Sequence, residues 1–234
     1  MHSYWFTIIN SFIDGAIFLI ATLFIIFPKR KKPTRDHILM IIFWSAVSFI
    51  FFLNGIQMYL FVQKNISTSY LIIQCEVAIM IFLCWIASYF FVSKLLESNR
   101  LKKITFFLIA ILLLIVLCSF LFVGRPAMKF GEPRIELPNQ VIISYLVALL
   151  LAIFNFLIFV ILWKEFRRGV ISWEKLAPFY RIVAIGIFGA VTFLRTLYLL
   201  PHPWYIRVFY LLIPYLNYLA SKEEKKNEER SNII

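Results

Sequence analysis

Histidine and cysteine are scarce in this sequence, with three of each among 234 residues. No spacing among them resembles a zinc site. His2, His37 and His202 lie at the ends of apolar stretches or beyond them, whereas a haem buried in a membrane needs histidine ligands facing inwards at depth. The sequence therefore predicts no metal ion and no cofactor.

Acidic residues are also few, and only Asp14 and Glu76 lie within apolar stretches. Aspartyl proteolysis needs a pair of carboxylates sharing one site, so a single aspartate in a span argues against it. A retinal pigment needs a lysine in its last span, and residues 204–220 contain none. The sequence predicts no catalytic residue, and an enzyme is the less favoured class.

Long apolar runs are what the chain does contain: it is 62% apolar, with 26 phenylalanines and a mean hydropathy of +0.86. About 20 apolar residues cross a hydrocarbon layer. Each run is expected to be a helix, because lipid-facing amides need partners within their own segment and no strand-like alternation is present. The fold class is therefore an all-α polytopic membrane protein, a bundle of seven transmembrane helices. The spans cover residues 5–27, 38–62, 70–93, 104–123, 140–163, 178–200 and 204–220.

The predicted domain organisation is one transmembrane domain, residues 1–220, and a charged tail, residues 221–234. The tail either extends the last helix or remains disordered. The longest connection on the side opposite the tail, residues 124–139, reads as an ordered loop or a short lid. The last span is the weakest, since it is short and contains Arg207 and Pro214. Cys75 and Cys118 fall towards the same face, which leaves a disulfide between them open.

Eighteen of the 24 basic residues fall in alternate connections and in the tail. They are Lys29, Arg30, Lys31, Lys32, Arg35, Lys94, Arg100, Lys102, Lys103, Lys164, Arg167, Arg168, Lys175, Arg181, Lys222, Lys225, Lys226 and Arg230. Basic connections stay in the cytoplasm, which predicts an N-terminus outside and a cytoplasmic C-terminus in the cell membrane. The net charge of +12 is therefore assigned to anionic lipid head groups rather than to nucleic acid.

Four ionisable residues that are not counted with the basic connections lie within spans, where each costs about 2.5–3.5 kcal/mol on insertion scales. Asp14, Glu76, Arg195 and Arg207 all map to the outer half of the membrane. Two acids and two bases at similar depth predict pairing across the bundle or a wet, outward-facing cavity. Arg195 is the hardest to explain as interfacial, because its side chain leans towards the N-terminus of its helix and hence into the membrane.

Neutral polar residues occur at the same depth. Asn10 lies one turn before Asp14, and Asn54 and Gln57 are three residues apart in the second span. Interhelical hydrogen bonding explains each amide alone. Their shared depth favours a polar pocket, so the predicted ligand-binding residues are Arg195, Asp14, Glu76, Asn10, Asn54 and Gln57.

Two function classes remain. The outline of seven spans resembles G-protein-coupled receptors, but the third span ends in VSKLLES and lacks their acidic-Arg-aromatic signature. It also resembles the membrane sensor modules of histidine kinases and cyclases, which implies a sensor-like or accessory subunit that binds an extracytoplasmic ligand or a membrane protein partner. The alternative is a small secondary transporter or channel for an anionic or proton-coupled solute.

Overall fold

Helices account for nearly all of the chain that the structure describes. The computed structural model describes residues 2–27, 35–95, 99–122, 125–129, 132–136, 176–196 and 203–231, and the single positions 160, 164 and 167. Its helices are α1 (His2–Ile26), α2 (Arg35–Val62), α3 (Ile66–Leu95), α4 (Asn99–Phe122), α5 (Leu176–Thr196) and α6 (Pro203–Ser231).

Three of these helices are long and apolar enough to cross a membrane: Trp5–Ile26, His37–Val62 and Ile66–Leu83. They indicate a membrane-embedded protein. Helices α4, α5 and α6 coincide with the predicted spans 104–123, 178–200 and 204–220. Apart from Val160, the predicted span 140–163 lies outside the described residues.

Two residues form the turn between α2 and α3: Lys64 ends α2, and Asn65 begins α3. Lys64 takes a left-handed conformation, φ 63°, and its amide donates to the Phe61 carbonyl at 2.9 Å. This is a common way to end a helix, although glycine adopts it at lower cost. Asn65 then begins α3, because its side-chain Oδ1 accepts a hydrogen bond from the Thr68 amide at 3.4 Å, as an N-cap does.

The predicted loop 124–139 contains a short hairpin. Strands β1 (Arg125–Lys129) and β2 (Glu132–Glu136) pair antiparallel, with Arg125 opposite Glu136 and Lys129 opposite Glu132. β2 lies next to α3. The expectation of order in this connection is confirmed, and its form is a strand pair.

The chain divides into two compact units. The first contains residues 1–16 and 46–147, and the second contains residues 17–45 and 148–234. Helices α1 and α2 therefore contribute one part to each.

In the first unit, α1 and α2 pack through two reciprocal glycine–phenylalanine contacts. A Cβ on Gly15 would lie 3.0 Å from the Phe52 ring, and a Cβ on Gly55 would lie 2.9 Å from the Phe12 ring. The two rings are themselves 6.0 Å apart. At both positions a side chain would meet the ring of the facing helix, so glycine lets the two helices approach closely. The close approach also lets the Ser48 hydroxyl donate to the Gly15 carbonyl at 2.7 Å.

In the second unit, the core is a cluster of aromatic rings. Phe18 stacks on Trp44 with ring centroids 5.8 Å apart and meets Tyr210 edge-on at 4.9 Å. Phe188 meets both Phe18 and Trp44 edge-on, at 5.6 and 5.9 Å. Offset and edge-to-face pairs of this kind add about 0.5–1.5 kcal/mol each to their area burial. They join α1, α2, α5 and α6.

Candidate functional site

In the first half of helix α1, polar side chains are buried and large apolar side chains are exposed. Its polar residues Asn10, Ser11 and Asp14 are buried, whereas Ile9, Phe12 and Ile13 are exposed. In water this arrangement would be unfavourable, but in lipid the apolar side chains are solvated and the polar ones need the interior. The polar face of α1 is therefore directed into the first unit.

Five of the six predicted ligand-binding residues belong to this unit. Asn54 and Gln57 are hydrogen-bonded, with Ser11 as a third member. Glu76 lies near Asn54, and Asn10 and Asp14 are buried on the same helix as Ser11. We use the term polar cluster for Asn10, Ser11, Asp14, Asn54, Gln57 and Glu76. The cluster draws on α1, α2 and α3. Its remaining predicted member, Arg195, belongs to the second unit.

Asn54 is the centre of the polar cluster. Its Oδ1 accepts a hydrogen bond from the Ser11 hydroxyl at 2.8 Å, and its Nδ2 donates to Gln57 Oε1 at 3.4 Å. The carboxylate of Glu76 lies near the same amide. An amide has both donors and an acceptor, so Asn54 can connect a hydroxyl on α1 with a carboxylate on α3.

The backbone of Gln57 is tied to α3 as well. The Ser69 hydroxyl donates to the Gln57 carbonyl at 3.2 Å, and Ser69 is fully buried. This bond fixes the start of α3 beside the second half of α2. It holds the helix that carries Glu76 in register with the helix that carries Asn54.

Two buried atoms of the polar cluster have no hydrogen-bond partner: Asn10 Nδ2 and Glu76 Oε1. Asn10 is only 6% exposed. An unpaired buried polar group costs about 1–3 kcal/mol, and native proteins keep very few of them. Asn10 Nδ2 is a donor and Glu76 Oε1 is an acceptor. A small molecule that has an acceptor and a donor of its own is complementary to this pair.

The two basic residues predicted for this layer are placed only by their backbone. Arg195 lies near the end of α5 and Arg207 near the start of α6. Their side chains lie outside the described residues. Pairing of Arg195 or Arg207 with Asp14 or Glu76 stays a prediction. Cys75 and Cys118 are both free and exposed, so the disulfide left open by the sequence is not formed.

A second buried polar site, which sequence reasoning did not anticipate, lies in the second unit. The Arg181 guanidinium forms an ion pair with Glu224, Nη2 to Oε2 2.7 Å, and their side chains are 3% and 19% exposed. The same Nη2 lies 3.3 Å from His37 Nδ1. Because arginine has only donors, the histidine nitrogen must be the acceptor. The three residues come from α5, α6 and α2.

The sequence carried one signal for this site. Arg181 had been counted with the basic connection before the sixth span, yet it falls inside the predicted span 178–200. The structure places Arg181 within α5, with its side chain buried. His37 and Glu224 gave no signal, since a histidine at a span end and a glutamate in a charged tail are ordinary.

Comparison with known proteins gives no relative: no protein-family model matches the chain, and no curated protein is similar to it. Among the described residues, no group of three His, Cys, Asp or Glu side chains is arranged to hold a metal ion. The polar cluster offers hydrogen-bond donors and acceptors and the carboxyl groups of Asp14 and Glu76.

Proposed function

We propose that this chain is a small sensor-like or accessory subunit of the cell membrane that binds a polar ligand in the polar cluster. The observation that carries the proposal is the pair of unpartnered buried atoms, Asn10 Nδ2 and Glu76 Oε1. Both atoms belong to helices that the hydrogen bonds of Asn54 and Ser69 hold together. In the proposal, a bound molecule pairs with the Asn10 donor and the Glu76 acceptor.

The topology proposed with it has seven spans, an outer N-terminus and a cytoplasmic C-terminus. The supporting evidence is the distribution of lysine and arginine along the chain and the helices found where six of the seven spans are predicted. In this orientation the polar cluster lies in the outer half of the membrane. The basic connections then meet anionic head groups at the cytoplasmic surface, and a membrane protein partner would be reached through lipid-facing helix surfaces.

The chemistry of the polar cluster defines the ligand class. Glu76 offers an acceptor and Asn10 offers a donor, and the predicted spans 5–27, 38–62 and 70–93 contain no lysine, arginine or histidine. A small molecule with a protonated amine or hydroxyl donor and a separate acceptor fits this set. A carboxylate-only ligand fits poorly, because it would face Asp14 and Glu76 without a basic residue from these three spans.

Thermal unfolding of the purified protein against a panel of small amines, amino alcohols, amino acids and carboxylates tests the proposal. A ligand at about 100 times its Kd stabilises the folded state by about 2.7 kcal/mol. At about 2–4 °C per kcal/mol for a chain of this size, the midpoint rises by several degrees. Glu76→Gln should remove most of that rise, because it replaces a charged acceptor with a neutral amide.

Glu223→Gln is the matched control, since it removes a carboxylate from the second unit and should leave the rise unchanged. If no member of the panel stabilises the wild type, or if Glu76→Gln responds like the wild type, the polar cluster is not the ligand site. A liposome flux assay with the stabilising compound then separates sensing from transport. Accumulation inside liposomes that contain this protein alone would favour the carrier.

A further inference from the structure

Helix α6 continues beyond its apolar part. Its apolar residues end at Ala220, and the helix runs on through the charged segment SKEEKKNEERS to Ser231. Lys222, Lys225 and Lys226 are exposed in this extension. Because the extension continues an existing helix, it avoids the nucleation cost of an isolated one. Its charged sequence does not by itself hold it against other helices, so docking needs an anchor outside the extension.

Arg181 supplies that anchor. Its guanidinium lies at the beginning of α5, almost completely buried, and forms the 2.7 Å ion pair with Glu224 in the middle of the extension. The 3.3 Å contact with His37 Nδ1 ties the same guanidinium to the beginning of α2. The extension is thus joined to two further helices of the second unit through one arginine.

An ion pair of this kind is suited to release. The Glu224 carboxylate makes a buried contact from a segment whose lysines Lys222, Lys225 and Lys226 are exposed. Removing one partner of a buried pair is costly to the docked state, because the other charge is left uncompensated. Neutralising Glu224, or capturing it with another cation, therefore weakens docking of the extension.

We propose that Arg181, Glu224 and His37 form a latch that holds the C-terminal extension of α6 against α5 and α2, and that the extension is a releasable output element. The docked state is the one described here. The released state has the segment after Ser221 frayed and accessible to partners. The latch needs no ligand in the polar cluster, and its test uses none.

Limited trypsin digestion of the full-length protein in detergent tests the latch, because Lys222, Lys225, Lys226 and Arg230 surround Glu224. Trypsin cuts an extended chain, so the rate at these sites follows the population of the opened extension. Glu224→Gln should raise the cleavage rate roughly ten- to hundredfold, the range given by the loss of one hydrogen bond between charged groups. Glu223→Gln, the neighbouring carboxylate, should leave the rate within about twofold of wild type.

A second variant tests whether the two charges act as a pair. Arg181→Gln should accelerate tail cleavage as Glu224→Gln does, and the double variant should be no faster than either single variant. The latch is overturned if Glu224→Gln cleaves at the wild-type rate, if Glu223→Gln accelerates cleavage equally, or if the two single effects multiply in the double variant. Fragment masses identify the cleaved sites, so general unfolding, which exposes sites throughout the chain, is recognised directly.

Discussion

Asn10 and Asn217 are the same side chain in two comparable positions, each fully or almost fully buried within a helix. Each has one unpaired atom: Nδ2 in Asn10 and Oδ1 in Asn217. Asn217 uses its own Nδ2 to donate to the Ile213 carbonyl one turn earlier, at 3.1 Å. Asn10 instead directly precedes Ser11, whose hydroxyl donates to Asn54, so the proposed binding site includes Asn10 and not Asn217.

Asn10→Leu should therefore stabilise the ligand-free protein and remove its response to ligand. Leucine has nearly the same volume and removes an unpaired donor, which should raise the free energy of unfolding by about 1 kcal/mol. A gain in stability with a loss of binding is common where function keeps a strained or unsatisfied group. Thermal midpoints with and without the stabilising compound measure both effects.

Asn217→Leu provides the comparison. It also removes an unpaired polar atom, so its midpoint should change by a similar small amount, but the rise on adding ligand should be that of the wild type. If both variants lose the ligand response, the response comes from the general state of the helices rather than from Asn10. If neither loses it, Asn10 is not in the site.

At the scale of elements, the contact of α1 with α2 depends on shape rather than on polarity. Gly15 lies under the Phe52 ring and Gly55 lies under the Phe12 ring. In membranes the association of helices comes from close packing and hydrogen bonds, since lipid is as apolar as the side chains. Two reciprocal ring-on-glycine contacts are a direct way to obtain that packing, and they bring Asn54 to Ser11 as a consequence.

The sign of the Gly15→Ala effect should depend on Phe52. Alanine is better than glycine within a helix by about 1 kcal/mol, but a Cβ 3.0–3.1 Å from three carbons of the Phe52 ring forces the ring to move. In the wild type the substitution should be neutral or destabilising, and in a Phe52→Leu background it should be stabilising by up to about 1 kcal/mol. The unfolding free energies of the four proteins in this double-mutant cycle give the coupling between positions 15 and 52. Equal effects of Gly15→Ala in both backgrounds would show that the two positions are not coupled.

The sequence predicted the helices better than their ends. The predicted span 38–62 ends where α2 ends, at Val62, because the polar residues Gln63, Lys64 and Asn65 follow directly. The predicted span 70–93 begins four residues late, since α3 starts at Ile66. Its first turn contains Thr68 and Ser69, which hydropathy excludes, but the Asn65 cap and the buried Ser69 hydroxyl make it helical.

The sequence predicted site residues only where a charged or amide side chain interrupts an apolar run. Asp14 and Glu76 are visible as charges in apolar runs, and Asn10, Asn54 and Gln57 as amides at matching depth. Ser11 and Arg181 were not foreseen as site residues: serine is ordinary in a membrane helix, and Arg181 directly follows a basic connection. Which helices meet, and on which faces, depends on packing such as that of Gly15 with Phe52, which a nearly uniform apolar pattern does not encode.

Across the described parts of the molecule, a hydrocarbon solvent explains both the exposed apolar side chains and the buried polar groups. Large apolar side chains are exposed along α1, α2, α3 and α4, among them Phe6, Phe49, Leu71 and Phe107. Such surfaces are unfavourable in water and favourable in hydrocarbon. The three helices long enough to cross a membrane therefore present the surface that a bilayer requires.

The proposed topology assigns Lys64 and Ser231 to opposite sides of the membrane, because five predicted spans separate them. In a background with the three cysteines replaced by alanine, Lys64→Cys should react with a membrane-impermeant maleimide on intact cells. Ser231→Cys should react only after permeabilisation. Lys64 lies in an exposed turn, and the charge rule places that turn outside.

Each possible labelling pattern decides a different part of the topology. Opposite accessibility of the two cysteines requires an odd number of spans between them, whichever side is outside, and so tests the count across residues 65–230. Labelling of Ser231→Cys but not of Lys64→Cys on intact cells would keep an odd number and reverse the orientation, placing the basic connections outside against the charge rule. Labelling of both would require an even number. The weakly apolar stretch 204–220, with Arg207 and Pro214, would then be the first candidate for a helix that does not cross.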